Sequence, residues 1–145
     1  MHKGESPMNM EITFPGGKKV DAQFKGFVHK TDQPKEEGGD GTAPEPFDLF
    51  LASIGTCAGI YALSFCQARR IDVKDLKLSL QFHDNGETGL IDKVEISMIL
   101  PPNFPEEYVK AIIRSTRLCI VKKQMDRPPE FEITASIGGV GAQAT

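Results

Sequence analysis

FDLFLASIGTCAGIYALSFCQARR, residues 47–70, is the stretch that decides the fold. From Leu49 to Ala68 it carries no charge, and its only clearly polar side chains are Ser53, Thr56, Ser64 and Gln67. The spacing predicts a helix over Phe47–Arg70, apolar nearly all round, and such a helix must be covered on every side. Its length approaches that of a membrane span. The polar residues within it and the water-compatible strands around it read instead as a buried central helix, with no membrane as partner. A chain of 145 residues can hardly enclose that helix alone, so a homodimer with a shared core is expected.

Working outward, Met10–Phe14 reads as a strand and Pro15-Gly16-Gly17 as a turn. Val20, Ala22 and Phe24 alternate with Asp21, Gln23 and Lys25, the period of a half-buried strand reaching to about Val28. Thr31–Pro46 holds Pro34, Gly38, Gly39, Gly41 and Pro44 and reads as a loop, of a length that often lines a site. Beyond the helix, Leu76, Leu78, Leu80 and Phe82 alternate with polar residues, as do Val94, Ile96, Met98 and Leu100. Asp84-Asn85-Gly86 between them signals a hairpin. Pro105–Val121 reads as a second, amphipathic helix with Glu106 and Glu107 near its positive end. Pro128-Pro129 then precedes a strand in which Phe131, Ile133, Ala135 and Ile137 alternate. Residues 1–9 and 138–145 are expected to fray. Strands interrupted by single helices make one α+β domain over 1–145, with mainly antiparallel sheet.

Hydrophobic content of 39%, charged content of 26% and a net charge of -3 describe an ordinary globular chain with no general attraction for nucleic acid. Three cysteines and a polar N-terminus without a signal-peptide core point to a reducing, cytoplasmic setting. His2, His29 and His83 are scattered, so no metal site is expected. The Gly38–Gly41 loop lacks the Gly-Lys-Ser/Thr ending of a phosphate loop, and there is no Gly-x-Ser-x-Gly elbow.

Cys57 and Cys66 point to opposite sides of the first helix, roughly 13.5 Å apart along its axis at 1.5 Å per residue. The Cα limit for a disulfide is about 7 Å, so they cannot bridge. Cys66 reads as core. On the second helix Tyr108, Ile112, Ser115 and Cys119 share the inward stripe, with Cys119 in the last turn. Small residues Gly55, Ala58 and Gly59 lie beside Cys57. Two readings of the Cys57 and Cys119 pair stay open: small buried hydrophobes, or thiols brought together for redox chemistry. Phe47, Phe50 and Tyr61 are core candidates that would also suit an apolar pocket near Cys57. Arg114, Arg117, Lys122, Lys123 and Arg127 form a modest basic patch beside Cys119, suited to a solvated face or to an anionic tail.

The segment GGDGTAPEPFDLFLASIGTC, residues 38–57, resembles the osmotically inducible protein C and organic hydroperoxide resistance (OsmC/Ohr) family, in which a Gly-rich loop and a Pro lead into a central helix bearing a cysteine. Leu118-Cys119-Ile120-Val121-Lys122-Lys123 is similar to that family's second cysteine element. The resemblance implies an intertwined α+β homodimer with antiparallel sheets around two long helices. It implies that Cys57 attacks an organic hydroperoxide, that Cys119 resolves the sulfenic acid to a disulfide, and that a dithiol such as a lipoylated protein or thioredoxin reduces it, with no cofactor. The family's peroxidases place an Arg after a Gly-Gly turn and a Glu ten residues before the first cysteine. Here Lys18 follows Gly16-Gly17, Phe47 stands at the Glu position, and Asp48 comes one residue later. Lys18 and Asp48 are therefore the expected supporting residues, although Lys lacks the planar bidentate geometry of Arg. The rival reading is a non-catalytic OsmC-like module that holds an apolar or acyl ligand at the dimer interface, favoured by Phe47.

Overall fold

Alternation and helical periodicity produce the elements of a mixed α+β fold, seen in a computed structural model that describes residues 8–144. The order is β1 (Glu11–Gly16), β2 (Lys19–Phe24), β3 (Phe27–Thr31), a 3-10 turn (Lys35–Glu37), α1 (Pro46–Ala68), β4 (Lys77–Asp84), β5 (Ile91–Ile99), a second 3-10 turn (Glu106–Tyr108), α2 (Val109–Thr116), α3 (Ile120–Asp126), β6 (Thr134–Ile137) and β7 (Val140–Ala144). All strand pairs are antiparallel: β1-β2-β3, β4-β5 and β6-β7. The chain divides into two compact units at the bond between Ser53 and Ile54, inside α1.

In the first unit, the strand expected to run on to Val28 turns back instead. Lys25 at φ 51° and Gly26 at φ 80° form a two-residue reversal, and Phe24 pairs with Phe27 across it. Positive φ at both positions gives the turn whose twist matches the flanking strands. The alternation of Val20–Phe24 continues past this turn in sequence, which hides it.

The Thr31–Pro46 loop is built around one carboxylate. Asp32 is fully buried. It accepts hydrogen bonds from the Gln33 N–H at 2.8 Å, the Thr42 N–H at 3.0 Å and the Thr42 hydroxyl at 2.7 Å. Lys19 lies 4.0 Å from it and pairs with Asp40 at 2.6 Å. Gly39 passes so close to the Gln33 carbonyl that an added Cβ would come within 1.9 Å of its oxygen. No side chain fits there.

In the second unit, the core is Ala62, Phe65 and Cys66 of α1 against Ile112 of α2, wrapped by residues such as Ile71, Leu78, Met98, Leu100 and Tyr108. Cys66 is buried, as its core reading expects. Arg69 stacks over Phe65, 3.6 Å from the ring centroid, and Phe65 meets Tyr108 edge to face. The helix ends as a C-terminal cap should: Arg70 takes φ 55°, its N–H donates to the Gln67 carbonyl, and the Ile71 N–H donates to that of Cys66. Length and composition would let α1 cross a membrane. Its Ala58, Ala62, Phe65 and Cys66 stripe is nevertheless enclosed, as in a core helix. On β4 and β5, Leu78, Leu80 and Phe82 pair with Met98, Ile96 and Val94, which puts the apolar residues on one face.

Two expectations need correction here. The β4–β5 connection is a six-residue loop, with positive φ at Gly89 rather than at the Asn85-Gly86 pair. There the Asn85 side chain accepts the Glu87 and Thr88 N–H groups and so fixes a wider turn. The second long helix is not continuous: a 3-10 turn precedes α2, and the chain breaks between α2 and α3. Within the C-terminal segment, β7 over Val140–Ala144 pairs with β6. Of the N-terminal tail expected over 1–9, residues 1–7 lie outside the described residues.

Ile112 has no exposed surface, so Ile112→Ala leaves a hole at the centre of the second unit. The expected loss is about 2–5 kcal/mol of stability, read as a lower denaturant midpoint. An unchanged midpoint would contradict this core assignment.

Candidate active site

The site is set by a break in the backbone. Thr116 is β-branched, and its hydroxyl donates back to the Ile112 carbonyl at 2.9 Å, a bond that weakens a helix end. The next turn tightens: the Leu118 N–H donates to the Ser115 carbonyl, and that of Cys119 to Thr116. Cys119 then adopts φ -47° and ψ 127°, and its carbonyl accepts the Lys123 N–H to begin α3. The residue expected in a last helical turn is thus the N-terminal cap position of a separate short helix.

That placement brings the Cys119 thiol into hydrogen-bonding reach of Cys57, on α1. No disulfide joins them, and Cys57 is half-buried while Cys119 is buried. Burial first, and the hydrogen bond with Cys57 second, push the Cys119 thiol above its ordinary pKa. The Val121 and Lys122 backbone N–H groups, which approach the sulfur at the start of α3, partly oppose this. Cys119 therefore stays a thiol at neutral pH and can donate a hydrogen bond to the Cys57 sulfur. Burial also raises Cys66, with Arg69 acting the other way.

Beside Cys119 lies a cavity of about 550 Å³. Ile54 and Ala58 of α1, Val94, Ile96 and Met98 of β5, and Ile113 of α2 supply apolar lining, while Thr116, Arg117 and Lys122 supply polar groups. Cys119 faces it; Cys57 and Tyr61 are not among its lining residues. The sequence reading treated the β5 residues only as strand core, because nothing in their alternation says which partner is missing from one face. The basic patch was the available signal for Arg117 and Lys122.

Of the remaining expected residues, Lys18, Phe47, Asp48 and Phe50 belong to the first unit. Lys18 is exposed in the two-residue turn between Gly16 and Lys19, with its Cε beside Gly38. Asp48 is exposed in the first turn of α1. Phe47 and Phe50 stack on one another at 5.7 Å and are about half exposed. Among the described residues no group of three or more His, Cys, Asp or Glu side chains gathers to hold a metal ion.

The family model for OsmC-like proteins matches residues 39–134, about two thirds of the chain, a span that includes all three cysteines. The chain belongs to the OsmC-like family. Solved structures agree on the fold. A protein of Psychrobacter arcticus 273-4, described by osmotic stress induction and a detoxification response, is 18% identical with a TM-score of 0.68, covering 85% of this chain and 91% of its own. An OsmC-like protein of Mycoplasma pneumoniae is 14% identical with a TM-score of 0.64 over 86% and 91%. An organic hydroperoxide resistance protein of Legionella pneumophila is 16% identical with a TM-score of 0.53 over 86% and 93%. No curated protein matches the sequence.

The raised Cys119 thiol has a direct test in this OsmC-like chain. Alkylation of Cys119 followed against pH should reach its midpoint above that of a free thiol, about 8.5. In Cys57→Ala the midpoint should move down, since both contributions of Cys57 are gone and only burial still raises it. A wild-type midpoint at or below the free-thiol value would contradict the geometry.

Proposed function

We propose that this OsmC-like chain is a cysteine-based peroxidase that reduces organic hydroperoxides, with Cys57 as the attacking and Cys119 as the resolving thiol. The observation that supports the reading is that the Cys119 thiol, buried and raised in pKa, lies within hydrogen-bonding reach of the half-buried Cys57. The Cys57 thiolate attacks the terminal peroxide oxygen and the O–O bond breaks. The alkoxide takes a proton and leaves as an alcohol, and Cys57 becomes a sulfenic acid. The Cys119 sulfur then attacks the Cys57 sulfur, water departs, and a disulfide forms. An external dithiol, a lipoylated protein or thioredoxin, returns both thiols and is itself oxidised. Lys18 and Asp48 are proposed as supporting charges, and Phe47, Phe50 and Tyr61 as apolar walls.

The working form is proposed to be a cytoplasmic homodimer. Apolar side chains left in water support this: Phe47, Phe50 and Ile60 on α1 are 50%, 43% and 51% exposed, and Phe131 and Ile137 are 83% and 90% exposed. Exposed apolar surface on this scale marks an interaction face. A second reading, a non-catalytic module that holds an apolar or acyl ligand, is favoured by the mostly apolar cavity beside Cys119.

Thiol titration before and after a stoichiometric dose of cumene hydroperoxide separates the two. Loss of the Cys57 and Cys119 thiols, with a Cys57–Cys119 disulfide found by mass spectrometry, is the expected result. Cys57→Ser should bring peroxide consumption to background while the dimer persists in sedimentation. Unchanged thiols in the wild type, or full turnover in Cys57→Ser, would reject the peroxidase.

A further inference from the structure

Met98 carries a sulfur that the thiol chemistry leaves unused. It is half-buried on β5 and packs against the core of Ala62, Phe65, Cys66 and Ile112. Met98, Thr116 and Cys119 also line one cavity, so an oxidant that enters it meets a thioether as well as a thiol. The Met98 sulfur lies 3.8 Å from the Thr116 hydroxyl, and that hydroxyl donates at 2.9 Å to the Ile112 carbonyl. A hydroxyl has one hydrogen to give, and a thioether is too weak an acceptor to take it from a carbonyl. A sulfoxide is a far stronger one.

A hydroperoxide passes one oxygen to the sulfur as its O–O bond breaks and leaves as water or an alcohol. The sulfur is oxidised by two electrons and the peroxide is reduced by two. The new S=O group stands among apolar neighbours, where a polar oxygen without a donor is costly. The donor at that sulfur is the Thr116 hydroxyl. We propose that Met98 is a hydroperoxide-sensitive modification site, and that its sulfoxide draws the Thr116 hydroxyl from Ile112 and so releases Cys119 from Cys57. The effect runs through the backbone: α2 ends at Thr116, whose carbonyl accepts the Cys119 N–H at 3.4 Å. A Thr116 side chain redirected to β5 shifts that carbonyl, and the Cys119 thiol moves with it. Met125 lines the same cavity and is 40% exposed, so it is oxidised too, but the Thr116 contact belongs to Met98. The site goes beyond the peroxidase reading, because forming a sulfoxide needs neither thiol.

The full chain is treated with excess hydrogen peroxide, and its thiols are then returned with dithiothreitol, which leaves a sulfoxide in place. Peptide mapping by mass spectrometry is expected to find one added oxygen on Met98. Alkylation of Cys119 at neutral pH should then run about tenfold faster than before treatment, the scale of one lost hydrogen bond. Met98→Leu, a volume-conserving change, should show no acceleration after the same treatment, even with Met125 oxidised. Met98→Gln, which puts an amide oxygen in place of the thioether, should alkylate faster without any peroxide. Thr116→Val should take up oxygen at Met98 with no further change at Cys119. A Met98 that stays unoxidised, an unchanged alkylation rate in the oxidised wild type, or equal acceleration in Met98→Leu would each overturn the proposal. None of these readouts is peroxide turnover, so a failed peroxidase reading and a failed Met98 site give different results.

Discussion

The approach of the Cys119 thiol to within hydrogen-bonding reach of Cys57 is the constraint around which the candidate site is organised. It exists because the helix from Val109 stops at Thr116 and a new one starts at Ile120. Thr116 acts at two places: its hydroxyl turns back on the Ile112 carbonyl and also lies 3.8 Å from the Met98 sulfur, so the break is tied to β5 as well as to α2. Cys119 then has φ -47° and ψ 127° at the head of a short helix, with the Val121 and Lys122 N–H groups and Cys57 all acting on its sulfur. The same short segment supplies Lys122 and Met125 to the cavity, so thiol pair and recess share one support.

Much of this was legible in the amino-acid order. The run from Phe47 to Arg70 announces α1, and the alternations at Leu78–Phe82 and Val94–Met98 announce β4 and β5, because burial on one side imposes a period that survives in sequence. The inward placing of Cys119 was also readable, although the reason given, a place on a helical stripe, was not the one the backbone uses. The turn at Lys25-Gly26 was not readable, since the residues on both sides keep a strand-like pattern. Nor was the break after Thr116, where a side-chain bond to the preceding turn outweighs the helical periodicity of Arg117–Val121. The cavity could not be seen at all, because its walls come from α1, β5, α2 and α3, segments far apart along the chain.

The two units divide the expected supporting residues from the sulfurs. Lys18 and Asp48 belong to the first unit, and Cys57 and Cys119 to the second. Within the first unit, Lys19 is taken up by Asp40 and Asp32, while Lys18 stands exposed in its turn. Adjacent lysines are thus unequal: the local ion pairs hold one cation in place and leave the next facing solvent. The distinction is invisible in the run Gly16-Gly17-Lys18-Lys19, where either residue would carry the same charge.

Asp32 carries a consequence for acidic conditions. Hydrogen bonds from Thr42 above all, then from Gln33, with Lys19 nearby, outweigh the effect of burial and hold its carboxyl far below the usual carboxylate range. A group depressed in this way stabilises the folded loop fully above its unfolded pKa, and the contribution is lost progressively as the pH falls from there through the lower folded value. In the folded molecule the Asp32 carboxylate therefore keeps its charge, and its three hydrogen bonds, through acidity that already neutralises ordinary surface aspartates, while the stability it lends the glycine-rich segment before α1 declines over that same range.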